Sequence, residues 1–81
     1  MLEIIQKILK DENLEFFIST TEEKETILEV WLNKKKLSIW LNLDGIVEVI
    51  RVWGSHIYEE MSSHKIVKAN EISEHLHWLK R

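Results

Sequence analysis

Residues 27–53, ILEVWLNKKKLSIWLNLDGIVEVIRVW, hold three apolar-rich runs separated by a lysine-rich turn and an Asp-Gly turn. Two closely spaced turns between alternating runs leave little choice but an antiparallel meander. A type I′ turn needs positive φ at both central residues, and Asp44-Gly45 is the local pair best suited to it. A two-residue loop there sets Leu43 opposite Ile46, Leu41 opposite Glu48, Ile39 opposite Ile50 and Leu37 opposite Val52. A turn through Asn33-Lys34-Lys35-Lys36 brings Leu32, Val30 and Leu28 opposite or near Leu37, Ile39 and Leu41, in that order.

Side chains alternate along a strand, so this register sorts the sheet into two faces. Leu28, Val30, Leu32, Leu37, Ile39, Leu41, Leu43, Ile46, Ile50 and Val52 form the expected core face. Ile27, Glu29, Trp31, Ser38, Trp40, Asn42, Val47, Val49, Arg51 and Trp53 form the other. Three tryptophans and three aliphatics among these ten are too apolar for a solvated sheet face. Aromatic and Arg residues with few competing charges are the composition of interface centres. The expected partner-binding residues are therefore Trp31, Trp40, Val47, Val49, Arg51, Trp53 and Glu29. A patch of this kind has to be covered by the chain's own C-terminal helix, by a second copy, or by a target.

Before this stretch, Leu2, Ile5 and Leu9 fall on one stripe with Ile4 and Ile8 beside them, which predicts a helix over 2–10. Asn13 is the candidate left-handed cap. Residues 14–18 alternate as a first strand, with Leu14, Phe16 and Ile18 inward and Phe17 on the tryptophan side. After the stretch, Gly54-Ser55 breaks the strand. Ser55 caps an expected short helix over 56–62, with Ile57 and Met61 one turn apart. Asn70 caps a last helix whose stripe is Ile72, Leu76 and Leu79, flanked by His75 and Trp78. The expected fold is α+β: an N-terminal helix packed on a four-stranded antiparallel meander sheet, followed by one short and one C-terminal helix. Eighty-one residues set the expectation of one compact domain over 1–81.

The chain has no cysteine, which excludes disulfides, thiolate catalysis and cysteine-bound metal. A formal net charge of −3 is the wrong sign for a dedicated nucleic-acid binder. No run of apolar residues is long enough for a membrane span, and the N-terminus lacks a secretory pattern. A soluble cytoplasmic protein is the expectation.

No motif fixes a chemistry. His75 and His77 are two residues apart, on different faces of a helix, where a metal pair wants four. Glu71 with His75 and Glu74 with His77 suit surface hydrogen bonds better than a metal site. Ser55 follows a single glycine, which is not a nucleophile elbow, and the two glycines make no phosphate loop. The expectation is a non-enzyme without cofactor or metal.

The functional expectation is a small non-catalytic protein-binding module: a bacterial or phage inhibitor, of counter-defence, immunity or antitoxin type, that blocks a macromolecular partner. The first alternative is a homodimeric structural or regulatory subunit joined through the tryptophan-rich face. The second is a single-strand nucleic-acid binder stacking bases on Trp31, Trp40 and Trp53, with Lys35, Lys36 and Arg51 as flanking cations. In topology and size, over residues 1–53, the layout resembles that of some small phage anti-CRISPR proteins.

Overall fold

The computed structural model describes residues 1–54 and 57–81. The chain runs through helix α1 (Leu2–Asp11), strands β1 (Phe17–Thr20), β2 (Thr26–Leu32), β3 (Lys35–Leu41), β4 (Val47–Gly54) and β5 (Glu59–Ile66), a 3₁₀ turn (Ala69–Glu71) and helix α2 (Ile72–Lys80). The five strands form one antiparallel sheet in sequence order. The architecture is α+β, with five strands where four were expected.

Helix α1 buries Ile5 and Leu9, the inner residues of its predicted stripe. Its end is a Schellman motif. Asn13 takes φ 57°, its N–H donates to the Lys10 carbonyl, and the Leu14 N–H donates to the Leu9 carbonyl. Leu14 then packs against the cluster that holds Leu9, the apolar contact that accompanies this cap.

The three loops between the first four strands explain where the register departs from expectation. The β2–β3 connection is the two-residue one: Leu32 pairs with Lys35, and Asn33 and Lys34 both have positive φ (51° and 65°). This is the type I′ geometry expected instead at Asp44-Gly45. The faces of β2 and β3 are as expected, with the pairing moved by two residues, so Val30 meets Leu37 and Leu28 meets Ile39.

The β3–β4 loop is longer. Asn42 N–H donates to the Ile46 carbonyl and Gly45 N–H to the Asn42 carbonyl. The Asn42 Oδ1 accepts from the Asp44 and Ile46 N–H groups at 3.0 and 2.8 Å. Gly45, at φ 80°, completes a three-residue loop of turn-plus-bulge type. The same device joins β1 to β2. There Thr21 N–H donates to the Glu25 carbonyl, Thr21 Oγ1 accepts from the Glu25 N–H at 3.1 Å, and Lys24 has φ 66°.

One added loop residue turns every β4 side chain over. Ile39 pairs with Val49 and Leu41 with Val47, so Val47 and Val49 join the core at 1% and 0% exposure. The expected core residues Ile50 and Val52 are partly exposed on the other face. Leu43 and Ile46 are exposed in the loop.

The expected helix over 56–62 is corrected as well. Residues 59–66 form β5, paired with β4 from Val47–Ile66 to Gly54–Glu59. Ile57 and Met61 mimic a helical spacing, but Ser62-Ser63 weakens a helix and β4 offers a full ladder. The expected capping role of Ser55 lies outside the described residues. Gly54, at φ 134°, has the Tyr58 carbonyl oxygen far inside contact distance of where a Cβ would stand. Only glycine admits the returning chain there.

Both helices lie on one side of the sheet. Ile5 and Leu9 from α1 and Ile72, Leu76 and Leu79 from α2 share one buried cluster with Leu28, Val30, Leu37, Ile39, Val47, Val49 and Ile66. A Lys80–Glu12 ion pair links the two helices. Asn70 caps no helix by its side chain; α2 follows the 3₁₀ turn directly, and Glu71 Oε2 accepts from the Val67 N–H at 3.0 Å.

Candidate protein-binding face

With both helices on one side, no described element covers the other side of the sheet. The pairing places Phe17, Ile27, Trp31, Trp40, Ile50, Val52 and Met61 on that side. Phe17, Trp31 and Met61 are 66%, 59% and 71% exposed, and the other four are partly exposed. At the centre stands Ser38, between Glu29 on β2 and Ile50 on β4. It is small enough that its neighbours bury it.

At the centre of this face the charges are answered within it. Glu29 pairs with Lys36 at 3.4 Å, and Lys36 Nζ lies 4.8 Å from the centre of the Trp31 ring. Glu48 accepts a hydrogen bond from the Ser63 hydroxyl. The face is thus apolar around a paired Glu29–Lys36, with Glu59 and Lys65 of β5 carrying charge at its edge.

Of the seven residues expected on a single contact surface, the structure brings together three and separates four. Glu29, Trp31 and Trp40 are on the uncovered face. Val47, Val49, Arg51 and Trp53 are on the helix-covered side, because β4 is turned over. Ile50 and Val52 take the places expected for Val49 and Arg51. Those two and Met61 are the face residues that sequence reasoning missed. The available signal was Asn42 three residues before Gly45, which favours the three-residue loop. Phe17 stands where the alternation of residues 14–18 put it.

The side chains around α2 show which face the last helix covers. Trp53 meets Trp78 edge-on, with ring centres 5.8 Å apart. Lys35 Nζ donates to the Trp78 and Arg81 carbonyls, both at 2.9 Å, and so satisfies the end of α2. The Arg51 guanidinium lies 5.3 Å from the Trp78 ring. Arg51 Nε donates to His75 Nδ1 at 2.9 Å, which requires that nitrogen to be unprotonated.

His75 is 6% exposed, and the His64 ring lies against it at 5.1 Å. Burial, then the Arg51 charge, then His64 push its pKa down to about 4, and Glu71 opposes them weakly. His75 is therefore a neutral acceptor at neutral pH. This polar cluster positions α2 on the sheet and does not touch the uncovered face.

A cleft of about 510 Å³ opens at the end of the sheet, lined by Trp31, Lys34, Lys35, Lys36, Val52, Trp53, Gly54 and Glu59. Lys35 is committed to the end of α2 and Lys36 to Glu29. Among the described residues no cluster of three or more His, Asp or Glu could hold a metal ion. No described helix is long and apolar enough to cross a membrane. Comparison with protein-family models, curated proteins and solved structures finds no match.

Proposed function

We propose that the protein is a small protein-binding module that acts by occupying the surface of a folded protein partner with the uncovered face of its sheet. One observation carries this reading. Among the described residues, a sheet packed on one side only leaves Phe17, Ile27, Trp31, Trp40, Ile50, Val52 and Met61 without a covering layer. An apolar patch with a polar rim has the anatomy of a protein interface. An inhibitor of bacterial or phage type, which blocks its target sterically, is the form of this reading that the small acidic chain suits.

The charge arrangement favours a protein partner over single-stranded nucleic acid. Of the three cations that a base-stacking role would use, Lys36 is paired with Glu29, Lys35 holds the α2 carbonyls, and Arg51 is turned to His75. Polyanion binding needs cations available to phosphate.

The test compares immobilised wild-type protein with the Trp40→Asp variant, both checked for native circular dichroism. The expected result is a protein retained by the wild type and lost from Trp40→Asp, with Trp31 and Trp40 shielded from iodide in the complex. Equal retention by both proteins, or unchanged quenching in the complex, would exclude this face.

A further inference from the structure

We propose that two copies of the chain pair edge to edge through β5, forming one ten-stranded antiparallel sheet about a two-fold axis at Ser62. The proposal goes beyond the face-binding function and uses a different surface.

The sheet has two edges, and they differ. β1 has four residues; β5 has eight, with no proline and no break in its pairing with β4. Among the described residues, no backbone hydrogen bond reaches β5 from any element other than β4. An edge of this length is a template for another strand unless its side chains prevent pairing.

The side chains of β5 favour one particular pairing. Residues opposite each other in an antiparallel ladder share a face, so a symmetric pair must match positions of equal parity. Centred on Ser62, the pairs are Ser62 with Ser62, Met61 with Ser63, Glu60 with His64, and Glu59 with Lys65. Glu59 and Lys65 lie on the uncovered side, each three residues from the axis. Neither has an ion-pair partner among the described residues, where the pairs are Lys36–Glu29 and Lys80–Glu12. Glu48 stands across β4 from Lys65 but is held by Ser63. Two-fold pairing answers both charges, twice per dimer. Shifting the centre to Ser63 instead puts Lys65 opposite Met61 and Glu60 opposite Ile66, which answers neither.

An axis normal to the sheet keeps both uncovered faces on the same side. The dimer then presents the two apolar faces side by side, with the two Met61 side chains near the centre and the Glu59–Lys65 pairs along the seam. The helices of both copies lie together on the reverse.

The test is sedimentation equilibrium of the wild type, Glu59→Lys, Lys65→Glu, the double variant, and an equimolar mixture of the two single variants. All substituted positions are exposed, and circular dichroism verifies the fold. The wild type should sediment at twice the 9.7 kDa of one chain. Each single variant opposes like charges at both ends and should raise the dimer dissociation constant about tenfold or more. The double variant should restore the dimer. So should the mixture, as a heterodimer of one Glu59→Lys chain with one Lys65→Glu chain. A wild type that stays monomeric at every concentration overturns the proposal. So does a dimer indifferent to these reversals but lost in Trp40→Asp, which would place self-association on the face. Neither result decides whether the face binds another protein, because Trp40→Asp is read separately there.

Discussion

Two residues carry backbone conformations that their side chains do not favour. Lys24 and Lys34 sit at φ 66° and 65°, where an L-residue with a Cβ is strained and glycine is not. Lys34→Gly would turn Asn33-Lys34 into the Asn-Gly pair that type I′ turns prefer. It should stabilise the fold by about 0.5–1 kcal/mol, read from the midpoint of urea unfolding. Gly54→Ala should do the opposite, losing about 1–3 kcal/mol or more, because its Cβ meets the Tyr58 carbonyl. His75 gives a pH dependence of known sign. Its pKa falls from the ordinary histidine value of 6.5 to about 4 on folding, so below 6.5 the unfolded chain takes up a proton that the native one refuses. Stability is complete above that value and declines as pH falls towards 4, by at most about 1.4 kcal/mol per pH unit. Arg51, His64, Glu71 and Glu74 are the charged or titratable groups around this site. Urea midpoints at pH 7, 5.5 and 4.5 should fall in the wild type and fall less in His75→Gln, which keeps an acceptor for Arg51.

At the scale of elements, the decisive feature is the orientation of β4. Val49 is fully buried between sheet and helices, and Ile50 is its half-exposed neighbour on the other side. Val49→Thr introduces a hydroxyl into the core and should cost about 1–3 kcal/mol. Ile50→Thr should cost clearly less, and the reverse order would restore the register in which Ile50 faces the core. The order of the first four strands and the faces of β2 and β3 were readable from the sequence for local reasons, whereas β1 runs over Phe17–Thr20 and not over 14–18. The helix stripe of Leu2, Ile5 and Leu9, the Asn13 cap, and the alternation of β2 and β3 are each written within a few residues. The β4 orientation was not, because it depends on whether the loop holds two residues or three. That count is set by the Asn42 side chain bonding two backbone N–H groups. β5 was hidden for a different reason. Its sequence, EEMSSHKI, has no apolar alternation, since neither face of this edge strand except at Ile66 enters the core. The uncovered face was legible as a concentration of tryptophan, but its membership was not. A one-residue error moved Val47, Val49, Arg51 and Trp53 onto it and took Ile50 and Val52 off.

The whole molecule is a two-layer structure with one layer missing on the far side, and the four tryptophans report on that asymmetry. Trp53 and Trp78 are packed together between β4 and α2, with Lys35 and Arg51 against the Trp78 ring. Trp31 and Trp40 belong to the uncovered face. In a folded monomer, iodide should therefore quench part of the emission and leave the rest, with Trp31, at 59% exposure, the largest accessible contributor. Trp31→Phe should remove most of the quenchable fraction, and Trp53→Phe, at a half-buried position, a smaller part of it. Pairing through β5 would not alter this pattern, since it extends the platform without covering it. Pairing face to face would remove most of it, because Trp31 and Trp40 would be enclosed. Binding of a protein partner should likewise reduce it, but at constant concentration of the chain and only when that partner is added. Quenching measured as a function of the chain's own concentration thus separates the uses of the two surfaces. A quenchable fraction that persists through dimerisation assigns the edge to self-association and leaves the tryptophan face open.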